Sequence, residues 1–297
     1  MRITSWIDSL TTRWQRTRSF RRAQRPSPAA HRPRQAPAAA AERLEDRTLL
    51  SVTSLFFNGD LTVVSDADDA IVIREDPVQA GRVEILVGNP VGGTINYVAD
   101  TSVGALDADT VQTILVRGGD DGNTIDLGDA QGLGGVDSAV YTSLTSVVIE
   151  GGNGDDTITG TINFTDVISG GDGDDEITVG AGSATVDGGD GNDKITGGPA
   201  SDVISGGDGN DVISGLAGAD TIDAGNGHDE VDGGDELAGP GDRIIGGHGH
   251  DTLRGGGGND WINGNSGNDE IYGGAGSDTM HGGSGSDLMQ GGADDDT

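Results

Sequence analysis

Between residues 151 and 297 the sequence repeats every nine residues, and this period limits the possible folds more than any other feature. One unit, Gly206-Gly207-Asp208-Gly209-Asn210-Asp211-Val212-Ile213-Ser214, shows the plan: a Gly/Asp-rich turn, then three residues alternating polar and apolar. Fifteen complete units follow one another, two of them lengthened (160–169 and 233–245), and a sixteenth begins at Gly291. The eighth position is apolar in all fifteen: Ile158, Ile168, Ile177, Val186, Ile195, Ile204, Ile213, Ile222, Val231, Ile244, Leu253, Ile262, Ile271, Met280 and Met289. Its neighbours at seven and nine are mostly polar, which predicts a three-residue strand with one side chain inward. So short a strand buries no core alone. Stacked units bury a continuous ladder. A structureless Gly/Asp tract would not hold one apolar position in phase.

Charge and glycine content say what else such a stack needs. The chain has 297 residues, 55 of them Gly, with only four Phe, three Trp and three Tyr. Glycine loses the most conformational freedom on folding. Residues 1–48 hold eleven Arg against four acids, a charge of +7, while residues 49–297 hold six Lys/Arg against 46 acids, a charge of −40. That self-repulsion opposes a compact state unless counter-ions are captured. An acidic body also argues against nucleic acid, whose phosphates require clustered Lys/Arg. With no cysteine, disulfides and thiolate metal sites are excluded. No apolar run approaches the ~20 residues of a transmembrane helix.

The units resemble the RTX, or haemolysin-type, calcium-binding nonapeptide repeat, G-G-x-G-x-D-x-U-x, over residues 151–297. The resemblance implies an all-β, right-handed parallel β-roll, with two nonapeptides per coil and Ca²⁺ between stacked turns, held by the sixth-position Asp and by turn carbonyls. The chemistry is coherent by itself. Ca²⁺ takes six to eight oxygens, Gly-rich turns leave carbonyls uncovered, and the Asp adds charge at a fixed offset. Alternate units share an edge. The first edge keeps Gly at position four and Asp at position six throughout: Asp156, Asp175, Asp193, Asp211, Asp229, Asp251, Asp269 and Asp287. The second is irregular early, with Ala184 at the Asp position, Pro199-Ala200 in the third turn and an insertion in the fifth, and it recovers at Asp260, Asp278 and Asp296. Asp202 and Asp220 on that edge are candidate ligands too. The expectation is a continuous calcium file on the first edge and a second edge loaded only from about Gly255, provided both insertions bulge outward without shifting phase.

Residues 52–150 read as β structure with longer units. Gln112–Asp126 echoes Leu144–Ile158 at an offset of about 33, and LTVVSDADDAIVI at 61–73 is a weaker echo. This predicts an irregular β-solenoid or small β-domain capping the roll, with a separate β-sandwich as the alternative. Residues 1–51 are Arg-, Ala- and Pro-rich and are expected to be a disordered basic leader. They lack the apolar region of a secretory signal and the apolar stretch a twin-arginine signal needs. Leu44-Glu45-Asp46-Arg47-Thr48-Leu49-Leu50-Ser51 resembles the LEPR-XLL motif near the N-terminus of large bacterial extracellular proteins, departing from it at Asp46. The resemblance implies export. A basic tail binding anionic surfaces is the competing reading.

No HExxH, G-x-S-x-G or Walker motif occurs, so the chain is expected not to be an enzyme. His228 and His250 share position five on one edge with His248 beside them; solvated turn positions explain them better than a transition-metal site. Trp261 and Tyr272 fall on opposite outer faces, where single surface aromatics need no function. Asp235–Gly241 reads as a loop. An ice-binding surface would need ranks of Thr-x-Thr, and only Thr157-Ile158-Thr159 fits. The expected protein is secreted or surface-bound, folds on extracellular calcium, and has a structural or adhesive role toward a cell-surface or matrix polysaccharide or protein. The alternative is a carrier module of a secreted enzyme or toxin such as a protease, lipase, epimerase or cyclase. The sequence shows neither a catalytic region before the repeats nor a non-repeat segment after them. The expectation is that such a tail is missing or that export uses the N-terminus, which leaves a type I secretion partner open.

Overall fold

The nine-residue period becomes two parallel sheets. Inward side chains of one register as Val147, Asp166 and Ala184 and, two residues on, as Ile149, Ile168, Val186, Ile204, Ile222, Ile244 and Ile262. The other stacks Ile158, Ile177, Ile195, Ile213, Val231, Leu253, Ile271 and Met289. Each chain turn passes from one sheet to the other, so consecutive units lie in opposite sheets, and units 18 residues apart pair directly. This computed structural model describes residues 52–297, apart from 66–68, 77–78, 80–81, 92–93, 100–105, 129–134, 137–139 and 236–239. The Arg-rich leader and the motif at 44–51 lie outside the described residues.

Both insertions leave the phase intact. Ile149 pairs with Ile168 across the first, and Ile222 with Ile244 across the second. Among the described residues the sheets contain eleven and thirteen strands, and those from Val52 to Thr297 belong to a single unit.

Residues 52–150 continue the same two sheets rather than forming a sandwich. Leu61, Ile114 and Val147 register in one sheet, and Ala70, Thr124 and Thr157 in the other, all parallel. The 33-residue echo is thus one coil of the solenoid, and the weaker echo is the coil before it. Antiparallel additions complete this end: Thr53–Phe57 returns as Asp60–Val64 through Asn58-Gly59, both at positive φ as a tight hairpin requires, and Ala70–Glu75 pairs with Arg82–Val91. The apolar interior is thickest here. Ile71, Ile73, Ile85, Ile114, Leu127 and Tyr141 are all buried, whereas each nonapeptide downstream contributes little beyond its one eighth-position residue. Burying one Ile supplies only about 2–3 kcal/mol for nine ordered residues, so the roll is poor in core.

Candidate metal centre

On the first edge, every turn places two residues at positive φ. In the 170–178 unit these are Gly171 (φ 126°) and Gly173 (φ 131°), and in the 206–214 unit Gly207 (118°) and Gly209 (146°). L-residues rarely adopt this conformation, which accounts for Gly at positions two and four. The same glycines permit close stacking: a Cβ on Gly171 or Gly173 would fall on the carbonyl oxygen of Gly152 or Gly154 in the preceding coil. Carbonyl oxygens therefore project from each turn toward the next.

Sixth-position carboxylates complete an oxygen-rich lining. Asp156, Asp175, Asp193, Asp211, Asp229, Asp251 and Asp269 are 1–2% exposed. Their backbone N–H groups donate in series to Oδ1 of the Asp one coil further on, from Asp156 to Asp175 at 2.7 Å through Asp269 to Asp287 at 3.1 Å. The other oxygen is left over. Oδ2 of each of these seven residues, and of Asp260 and Asp278 on the second edge, is buried without a hydrogen-bond donor. A buried, donorless carboxylate oxygen is costly and rare. Burial is also the first cause that raises their carboxyls from the ordinary 3.8, to about 6 for Asp156, Asp251 and Asp260 and about 7 for Asp175 and Asp211; the backbone N–H each accepts opposes the shift, and neighbouring aspartates reinforce it. Asp193, Asp229, Asp269 and Asp278 move the same way, with burial again first.

In the units that begin with glycine, Oδ2 fills the space that a Cβ on that first residue would occupy; only the Asp229 unit of this edge begins with a side chain, Ala224. A Cβ on Gly170 would overlap both Asp175 Oδ2 and the Gly188 carbonyl. Gly170→Ala is therefore expected to destabilise the calcium-saturated protein by about 1–3 kcal/mol, read as a lower thermal midpoint, although φ at this position is not in the left-handed region.

The second edge divides in two. From Leu216 (φ 77°) and Gly218 (128°) onward the positive-φ conformation recurs, for example at Gly256 and Gly258 and at Gly274 and Gly276. It begins earlier than Gly255 because Leu216 takes the left-handed conformation without being glycine. Its three earlier turns, 160–166, 179–184 and 197–202, contain no residue at positive φ. There Asp166 is held by Thr161, whose N–H and hydroxyl donate to Oδ2 and Oδ1, both at 2.7 Å. Asp202 accepts from Ala184 N–H on Oδ1 and from Gly198 N–H on Oδ2, at 2.7 and 2.8 Å. Where Ala184 supplies no carboxylate, position one is Val179 instead of Gly, and both lie in the apolar core.

Every predicted position falls on one of the two edges. Asp202 and Asp220 join the second series, which runs from Ala184 to Asp296 and includes Asp242 between Asp220 and Asp260. Sequence reading missed Asp242 because the insertion displaces it; its place two residues before the inward Ile244 identifies it. It also missed the upstream end of the first series, where Asn123 N–H donates to Asp156 and Asp69 N–H to Asn123 Oδ1 at 3.4 Å.

Among the described residues no three acidic or histidine side chains converge on one point. A cation in these turns would draw most ligands from backbone carbonyls, as a hard oxygen-seeking ion can. His228 and His250 stack with ring centroids 5.0 Å apart. Each accepts on Nδ1 the backbone N–H of the next coil, from His250 at 2.8 Å and Asn268 at 2.7 Å, the role asparagine side chains fill elsewhere in that row. Trp261 and Tyr272 lie on different sheets, and both are partly covered. Arg243 lies 4.6 Å over the Trp261 ring, with His281 6.1 Å from that ring.

Fold and turns together define a parallel β-roll solenoid with inward-facing oxygens along its edges. The family model for the RTX calcium-binding nonapeptide repeat, four copies long, matches residues 146–162, 163–186, 178–213, 205–236, 241–271 and 263–297. The stretch from 146 to 297 is thus an array of RTX repeats, which implies calcium binding. A comparison with curated proteins finds none that matches.

Proposed function

We propose that this protein is exported and that its roll folds around calcium outside the cell, where it serves as a structural or adhesive element. The observation that carries the reading is the series of buried Oδ2 atoms without donors, most of them sharing a site with a backbone carbonyl of the next stacked turn. A divalent ion would satisfy these oxygens and offset charge on a body that sums to −40. Binding is then coupled to folding, because the stacked turns are assembled only in the folded chain. Affinities near 10⁻⁴–10⁻³ M, roughly those of extracellular calcium modules, would leave the roll empty in a low-calcium cytosol and filled outside. RTX repeats are typically extracellular.

Calcium titration of the full chain, followed by circular dichroism, should give a cooperative gain of β signal at millimolar calcium that magnesium does not reproduce. Cell fractionation should place the protein outside the cytosol. A roll equally ordered in excess chelator, or indifferent to millimolar calcium, would overturn the calcium reading; a cytosolic protein would overturn the export reading.

A further inference from the structure

Three observations divide the solenoid by its need for metal. First, the apolar interior is densest upstream of residue 150, where Ile73, Ile114, Ile125 and Tyr141 are fully buried, and the same cluster continues downstream mainly as the eighth-position ladder to Ile271. Second, the series of turn carboxylates ends there in groups that ask for no ion. Asn123 occupies the ladder position as a neutral amide, and Asp69 Oδ2 takes the Ser65 hydroxyl at 2.7 Å. Third, the second edge stays closed through Asp202: its turns lack positive φ, Asp166 and Asp202 have both oxygens engaged within the protein, and the pair Val179/Ala184 is apolar. From Gly206 onward each coil has little beyond the inward ladder as core, and both edges adopt the carbonyl-projecting turn.

From this we infer that the described strands between Thr53 and Asp126, with the strands Ser146–Asn153 and Thr157–Thr159 that pair onto them, form a calcium-independent template. Two parallel strand edges, one in each sheet, stand ready in the metal-free protein. Calcium adds coils to them in order, toward the C-terminus. The closed second-edge turns make the coils from 160 to 202 a transition zone that needs ions on one side only. Propagation from a preformed edge avoids nucleating so glycine-rich a ribbon afresh, as nearest-neighbour solenoids allow. The inference rests on the calcium reading above, and its test separates the two.

Hydrogen exchange of the full chain by mass spectrometry, in excess chelator and at rising calcium, reads each segment. In chelator, amides of 113–117, 124–126 and 147–149 should exchange at least 100-fold slower than those of 206–290. Added calcium should slow exchange at 206–290 while changing 113–126 little. Unprotected 113–126 in chelator, with calcium-dependent protection downstream, would overturn the template and leave the calcium reading standing. Equal protection of 206–290 with and without calcium would overturn the calcium reading itself. Asn123→Asp places a carboxylate in the neutral turn and should speed exchange of 113–126 in chelator about tenfold, with recovery in calcium; exchange like that of the unaltered chain in chelator would overturn the role assigned to that turn.

Discussion

Asp211→Asn should raise the residual β signal of the chelated roll and lower the thermal midpoint of the calcium-saturated protein. Asp211 Oδ1 accepts the N–H of Asp193 at 2.8 Å, and Oδ2 has no donor. Burial first, then the charges of Asp193 and Asp229, hold this carboxyl up to about 7 against the opposing N–H of Asp193. An asparagine keeps the Oδ1 acceptor and deletes the charge. Without metal at pH 8, the fold no longer confines an anion between two others, a relief of about 1–3 kcal/mol. With metal, the same substitution removes an anionic ligand, and a loss of similar size follows. Circular dichroism of the full chain in chelator and thermal melts in millimolar calcium measure the two arms. No change in either arm would mean that the carboxylate acts only as a hydrogen-bond acceptor, a role the asparagine retains. Asp202→Asn is the internal control. Its Oδ2 serves Gly198 N–H, an amide nitrogen cannot accept there, and the midpoint should fall with or without calcium.

The contrast between Asp211 and Asp202 marks where sequence reading stops. The period of nine and the unbroken apolar eighth position determine strand, register and ladder, because a side chain that must face inward cannot be hidden by sequence noise; all the inward pairs fall as the period requires, even past two insertions. The sixth-position Asp was legible for the same reason. What the carboxylate meets was not. Asp202 and Asp211 occupy equivalent positions in the motif, yet only the turn preceding Asp202 lacks positive φ and lets a backbone N–H close on the second oxygen. That difference lies in dihedral angles which Pro199-Ala200 hints at but does not specify. Leu216 misleads in the opposite direction, a bulky residue in the left-handed conformation that begins the open turns of the second edge. Asp242, Asn123 and Asp69 escaped because Asp242 follows the rung before it by 22 residues, and Asn123 and Asp69 precede the next rung by 33 and 54, so a constant period finds none of them. Val179 with Ala184 is legible only in retrospect: a bulky side chain appears at position one in the turn whose position six has lost its carboxylate, whereas the small Ala224 coexists with Asp229.

The same carboxylates make acid a partial substitute for calcium. Asp156, Asp251 and Asp260 titrate near 6 in the folded protein, and Asp175 and Asp211 near 7, against an ordinary 3.8. The metal-free fold therefore binds protons that the unfolded chain has released. Stability from this source is complete below about pH 4 and is lost as pH rises through 6 to 7. Chelated protein should accordingly melt at higher temperature at pH 5 than at pH 8, with the gain developing between those values and several carboxylates contributing together. Calcium reverses the slope. Protons compete with the ion for the same oxygens, so affinity should weaken as pH falls below 7, and binding at pH 6.5 should release protons. Melts in chelator across pH 5–8 test the first arm, and calorimetric titrations in two buffers of different ionisation enthalpy test the second. A chelated protein that loses stability on acidification from pH 8 to 5 would show that these aspartates are not confined in the metal-free fold, and the donorless Oδ2 series could then no longer support calcium-coupled folding.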